Sequence, residues 1–204
     1  MSTNLPTPGA ILDYWIGPAS DDHIAATKRN KLWFVKSLAT DTEIAERFLP
    51  LVSALASGLA YDWAGQGARQ RLAAIITLDQ FSRNIFRGHA FSFKHDKLAL
   101  GLAKEGLVRG EDKGLSEVEK IFFYIPLEHS ERKHDQTLSV QLYTKLAATA
   151  RPAFKTICAN TLEYAIKHQD VIEQFGRFPH RNAILKRTNT PEETEYLSKP
   201  GAGF

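Results

Sequence analysis

An all-α fold is what the sequence predicts, and three observations predict it. Apolar residues recur at helical spacing along nearly all of the 204-residue chain. No run alternates apolar and polar residues between turn signals, as a half-buried strand would. Capping residues, prolines at helix starts and glycines at helix ends punctuate the pattern. With 43% hydrophobic and 10% aromatic residues, the chain can bury one substantial core, so residues 1–204 are expected to form a single domain.

Taken in order, residues 8–16 predict a short helix, with Pro8 near its start, Ile11, Leu12 and Trp15 on one face, and Gly17-Pro18 to stop it. A polar segment then leads to Leu32-Trp33-Phe34, an expected anchor into the core. Thr40 or Asp41 is placed to cap the next helix, whose stripe Ile44, Phe48, Leu51 and Leu55 stays in phase across Pro50; this predicts a kink there, with Gly58 as the end. Leu59, Tyr61 and Trp63 read as an aromatic patch before a Gly65-Gln66-Gly67 loop. From Arg69 the residues Leu72 to Ile76 are apolar on all sides, the signature of a central helix. Residues 94–108 form another, and Ser116-Glu117-Val118-Glu119 is a capping box opening a helix that Pro126 bends or ends. Helices over about 135–150 and 153–174 follow. Thr190-Pro191-Glu192-Glu193 starts a last short helix, and the Gly-containing tail from Lys199 to Phe204 reads as loose.

Composition narrows the functional classes. A net charge of +3 lacks the concentrated basic surface of a nucleic-acid binder. No run approaches the roughly 20 apolar residues that span a bilayer, and residues 1–10 lack the apolar stretch of a secretory signal. The single cysteine, Cys158, falls in an apolar helical pattern and reads as a core residue. The expected compartment is the cytoplasm. Oligomeric state is not legible.

Three polar cassettes interrupt the apolar helices. In the first, Leu78 to Gly88, Asp79 shares a stripe with Leu72, Ile75 and Ile76; Arg83 lies one turn on, Arg87 continues the row, and Asn84 stands beside them. An ionised Asp on a core stripe needs a cationic partner. The second, Tyr124 to Glu131, holds Glu128, His129 and Glu131 around Pro126, whose missing N–H leaves the carbonyl of Phe122 without its usual donor. A lone histidine without a second at i+4 predicts no dedicated metal site. The third runs from Phe175 to Asn182, where Gly176 and Pro179 reverse the backbone between Arg177, His180, Arg181 and Asn182. Residues 151–187 carry seven Lys/Arg against three Asp/Glu, so basic groups are in local surplus.

Together these cassettes resemble the bacterial family known as domain of unknown function 924. The resemblance runs through Tyr14-Trp15-Ile16-Gly17, Trp33-Phe34, Leu78-Asp79-Gln80-Phe81, Arg83 to Gly88, Pro126 to Glu131, the turn from Phe175 to Asn182 and Thr190 to Glu193. This chain departs from the family pattern at Ser82, where proline is usual, at Lys186, where glycine is usual, and at Asn189, where serine is common. The resemblance implies antiparallel helix pairs in a compact, tetratricopeptide-like right-handed array, and no activity.

Three functional readings follow. Asp79, Arg83, Asn84, Arg87, Glu128, His129, Glu131, Arg177, His180, Arg181 and Asn182 form a candidate site for a small anionic metabolite or an acidic peptide, because arginine forks match carboxylate and phosphate. Alternatively, Glu128, His129 or His180 transfers protons in a small hydrolase or transferase. In the third reading the charges are internal salt bridges of a structural or interaction protein. No motif implies a cofactor, a nucleic-acid partner or a membrane. Both ligand readings predict that Arg83, His129, Arg177 and His180 converge on one solvent-reachable pocket.

Overall fold

The computed structural model describes residues 5–203; residues 1–4 and Phe204 lie outside it. Helices alternate with short turns, and no strand occurs among the described residues. The helices are α1 (Pro8–Trp15), α2 (His23–Phe34), α3 (Leu38–Ala54), α4 (Ala60–Gln66), α5 (Ala68–Ile76), α6 (Ser82–Ile85), α7 (Asp96–Val108), α8 (Glu117–Glu128), α9 (Lys133–Thr149), α10 (Lys155–Phe175) and α11 (Pro191–Leu197). Short connections fold α4 on α5, α8 on α9 and α9 on α10, while α1 and α7 both pack on α5.

The centre is α5, in which Arg71 to Ile76 are all buried, as its all-round apolar pattern predicts. Around it Trp15 and Phe81 meet edge to face at 5.4 Å, Phe48 stacks on Phe81 at 4.8 Å, and Trp33 meets Phe122 at 5.1 Å. Each such ring removed from water contributes roughly 1.5–3 kcal/mol. Trp33 is the expected core anchor, and its indole N–H donates to the carbonyl of Trp15 at 2.8 Å. The segment leading to it is helical from Asp22, whose carboxylate accepts from the N–H of Ile24 at 2.8 Å. Its weak apolar periodicity concealed this helix.

Several boundaries differ from the sequence expectations. Ser37, not Thr40 or Asp41, caps α3, its Oγ accepting from the N–H of Thr40. Asp41 is drawn off by Asn84 and Arg87 from α6 and the turn after it. Helix α3 continues through Pro50 to Ala54, and the chain reverses in the following wide turn, where Gly58 has φ 128°. Tyr61 and Trp63 then lie within α4, with Tyr61 exposed and Trp63 buried. The capping boxes at Ser116 and Thr190 both form. Helix α8 runs through Pro126 to Glu128, so His129 becomes its C-cap. Cys158 is buried in α10. Lys186 adopts φ 55°, a left-handed conformation, at the position where the resemblance expects glycine. The tail turns back over residues 199–203, the N–H of Ala202 donating to the carbonyl of Lys199 at 3.2 Å.

Candidate functional site

Between α5 and α6 the chain widens into a π-helical turn, Thr77–Phe81, in which every residue is buried. Such turns shift the register of a helix face and recur at functional sites. Here Asp79 is delivered, fully buried, to a point where three donors meet. Arg83 Nη1 lies 3.1 Å from its Oδ1, His129 Nδ1 2.9 Å from the same oxygen, and Gln80 Nε2 donates to Oδ2 at 2.7 Å. Burial alone would raise the pKa of this carboxyl; Arg83, and then His129 and Gln80, outweigh it and hold the group well below the usual carboxylate range. An ionised carboxylate only accepts. Nδ1 of His129 therefore carries the hydrogen and Nε2 the lone pair, since burial and the Arg83 charge keep the ring neutral by lowering its pKa.

Glu128, the neighbour of His129, is buried from the other side. Its Oε1 lies 3.1 Å from Nδ1 of His168, which also donates to the carbonyl of Tyr164 at 2.8 Å. Burial, reinforced by the negative charge of Asp79, pushes the Glu128 carboxyl up to about 8, so it is largely protonated at neutral pH. Burial holds His168 neutral, its pKa lowered to about 2. Two carboxyls in one cluster thus have opposite protonation states, set by which of them has the arginine.

Arg181 completes the cluster. Its guanidinium is sandwiched, with Cζ 4.4 Å from the Phe178 ring centroid and 4.7 Å from that of Phe93, and the residue is 6% exposed. Its Nε has no hydrogen-bond partner. The nearest carboxylate, Asp96, stands 3.9 Å away, beyond hydrogen-bond reach. Asp96 instead makes a two-pronged bridge to Arg83, at 3.0 Å on each prong. Burial, and then repulsion from Arg83, lowers the Arg181 pKa to about 10.

The remaining candidates are engaged elsewhere. Arg87 does not continue the Asp79 row; it bridges to Asp41, as Asn84 does, tying the end of α6 to α3. Arg177 donates to both oxygens of Glu193, at 2.6 and 2.8 Å, and Asn182 reaches the same carboxylate at 3.1 Å, which clamps the third cassette to α11. Glu131 accepts two bonds from Arg187 and one from the N–H of Phe178. His180 faces the central cluster closely enough for Arg181 and His129, after burial, to lower its pKa to about 4. Of the four side chains expected to converge, Arg83 and His129 meet at Asp79, His180 lies beside them, and Arg177 does not join them.

Sequence reasoning passed over Asp96 and His168. His168 carried a signal, because it follows Cys158 and Ala165 and precedes Ile172 on one buried stripe of α10. Asp96 carried none; it is one of several acids at helix starts. Two concavities, of about 310 and 430 Å³, lie away from the cluster, the first beside Phe175 and Glu193 and the second beside Glu117 and Arg151. Among the described residues no group of three or more His, Cys, Asp or Glu could hold a metal ion. None of the described helices is long and apolar enough to cross a membrane.

A family model described as a bacterial protein of unknown function, DUF924, matches residues 11–201. The chain belongs to this family. The DUF924 match spans all three cassettes, from Leu78 to Asn182. Among solved structures, the chain is similar to a protein of unknown function, ATU0120, from Agrobacterium tumefaciens, with 35% identity and a TM-score of 0.73 over 89% of this chain and 98% of that one. No curated protein matches. DUF924 membership thus establishes kinship and fold, and what the cluster does has to be argued from its chemistry.

Proposed function

We propose that this DUF924 protein is a binding module whose cluster receives a small anionic ligand, a carboxylate or phosphate, on Arg181. One observation carries the reading: Arg83, Arg87, Arg177 and Arg187 are each bridged to a carboxylate by hydrogen bonds, whereas Arg181, buried between two rings, has only a distant one. Burying a charged group without hydrogen-bond compensation costs free energy. A ligand oxygen on the fork supplies what is missing, and the flanking Phe178 and Phe93 rings fix the plane of the fork, lowering the entropy lost on binding. The same fork suits the carboxylate of an acidic peptide.

A second reading, proton transfer in a small hydrolase or transferase, is favoured by the Asp79–His129 bond. An imidazole whose Nδ1–H is held by a buried carboxylate presents Nε2 as a general base of fixed orientation. Glu128 beside it retains a proton at neutral pH.

A thermal-shift screen over inorganic phosphate, phosphate monoesters and short dicarboxylates tests the first reading. Ligand binding stabilises by about 2.7 kcal/mol at a hundredfold excess over Kd, so a hit should raise Tm measurably and lose that gain in Arg181→Ala. A hit that keeps its full shift in Arg181→Ala removes Arg181 as the anchor. Turnover of a hit that disappears in His129→Gln while binding persists would favour the second reading.

A further inference from the structure

The segment after α11 passes over His180, the chain neighbour of Arg181. Helix α11 ends at Leu197, and the turn closed between Ala202 and Lys199 brings Gly203 onto His180. The approach is close enough that a Cβ on Gly203 would stand 2.9 Å from the Cβ of His180 and 3.3 Å from its Cγ. Real side chains do not tolerate such a distance, and Gly203 has φ 89°, which L-residues rarely adopt. Glycine is therefore required twice over for the chain to lie here, by the close approach and by the backbone conformation.

The covered residue is next in the chain to the unsatisfied part of the cluster, Arg181. His180 and Arg181 both lie against the Phe178 ring, at 5.5 and 4.4 Å, so a chain resting on His180 is one side chain away from the Arg181 guanidinium. The side chains of the cluster that retain partial exposure are Arg83 at 19%, Asp96 at 21% and His129 at 13%. The segment follows directly on the short helix α11, which Arg177 and Glu193 clamp at its first turn. Beyond Leu197 the hydrogen bonds among the described residues are local, those of the turns at Ser198, Lys199 and Ala202 and of the Ser198 hydroxyl to the Glu195 carbonyl, with Lys199 paired to Glu195, so lifting residues 200–203 breaks little regular structure.

We propose that residues 199–203 form a strap that closes the Arg181 site, and that an anionic ligand enters when the strap lifts from His180. This inference rests on the anion-binding reading, and its test separates the two. The full chain is compared with a chain ending at Lys199 and with Gly203→Val, which keeps the length but cannot occupy the same position. The first readout needs no ligand: the rate at which diethyl pyrocarbonate modifies the His180 imidazole, followed by peptide mapping. Both variants should react several times faster than the full chain. Equal rates in all three would overturn the strap. The second readout is calorimetric titration with inorganic phosphate and with succinate. Tighter binding to both variants than to the full chain is expected. Binding of equal strength to all three overturns the strap as a gate while leaving the Arg181 site standing. Faster His180 modification without binding of either anion to the opened variants overturns the anion reading and leaves only a structural cover.

Discussion

Nδ1 of His129 and Oδ1 of Asp79 lie 2.9 Å apart in a cluster where the aspartate is fully buried. The two residues are separated by 50 positions in the chain, and the bond joins the π-helical turn after α5 to the C-cap of α8. It does so beside Arg83, which holds the same oxygen. The carboxylate thus links two elements and orients an imidazole. Both roles depend on its charge.

Asp79→Asn keeps the shape and removes that charge. Arg83 and His129 are left with a neutral amide oxygen in place of the carboxylate in a buried setting, and breaking such a pair from one side costs about 3–5 kcal/mol. Urea unfolding should show a loss of about 3 kcal/mol, the lower end, because Arg83 keeps Asp96. A loss below about 1 kcal/mol would mean that Asp79 adds no more than a surface pair.

Glu128 makes stability depend on pH in an uncommon direction. Its folded pKa of about 8 lies above the ordinary value of 4.5, so between those values the folded state binds more protons than the unfolded one. Stability from this group is complete below about pH 4.5 and declines as pH rises through 8. His168 acts oppositely, losing stability as pH falls below 6.5. The clean measurement is therefore the difference between Glu128→Gln and the parent across pH 4 to 9. The variant should gain relative stability as pH rises, by a few kcal/mol in all. A difference independent of pH would show that Glu128 is ionised in the folded protein.

Arg181→Met should raise Tm while abolishing any anion response. Methionine fills the slot between Phe178 and Phe93 without a buried charge, and replacing incompletely bonded buried charges by apolar groups is often stabilising by about 1–4 kcal/mol. Differential scanning calorimetry reads the first effect and the phosphate titration the second. A drop in Tm would show that the guanidinium is already satisfied in the free protein.

Lys186→Gly addresses the departure at φ 55°. The left-handed conformation costs an L-residue about 1–2 kcal/mol, and the greater entropy of unfolded glycine returns about 0.5–1 of it. A net gain of about 0.5–1 kcal/mol in chemical unfolding is expected. Since the adjacent Arg187 bridges to Glu131, an unchanged or lower stability would show that the Lys186 side chain contributes contacts of its own.

What the sequence determined by itself was local. Helical periodicity, the capping boxes at Ser116 and Thr190, the all-round burial of α5 and the Asp79–Arg83 pair one turn apart are all encoded within a few residues, and all appear in the structure. Helix α2 escaped because its apolar positions do not share a face. Partner choice across long separations was decided only by the tertiary structure. Asp41 meets Arg87 over 46 positions and Glu131 meets Arg187 over 56, and no spacing rule distinguishes these acids from the other Asp and Glu of the chain. The arginines of the three cassettes looked equivalent in sequence because each has the same chemistry. Packing distributed the carboxylates among them unequally, bonding Arg83, Arg87 and Arg177 and leaving Arg181 between two rings with its Nε unmatched. A residue type states which bonds a side chain can make; only the folded chain decides which of them remain to be made.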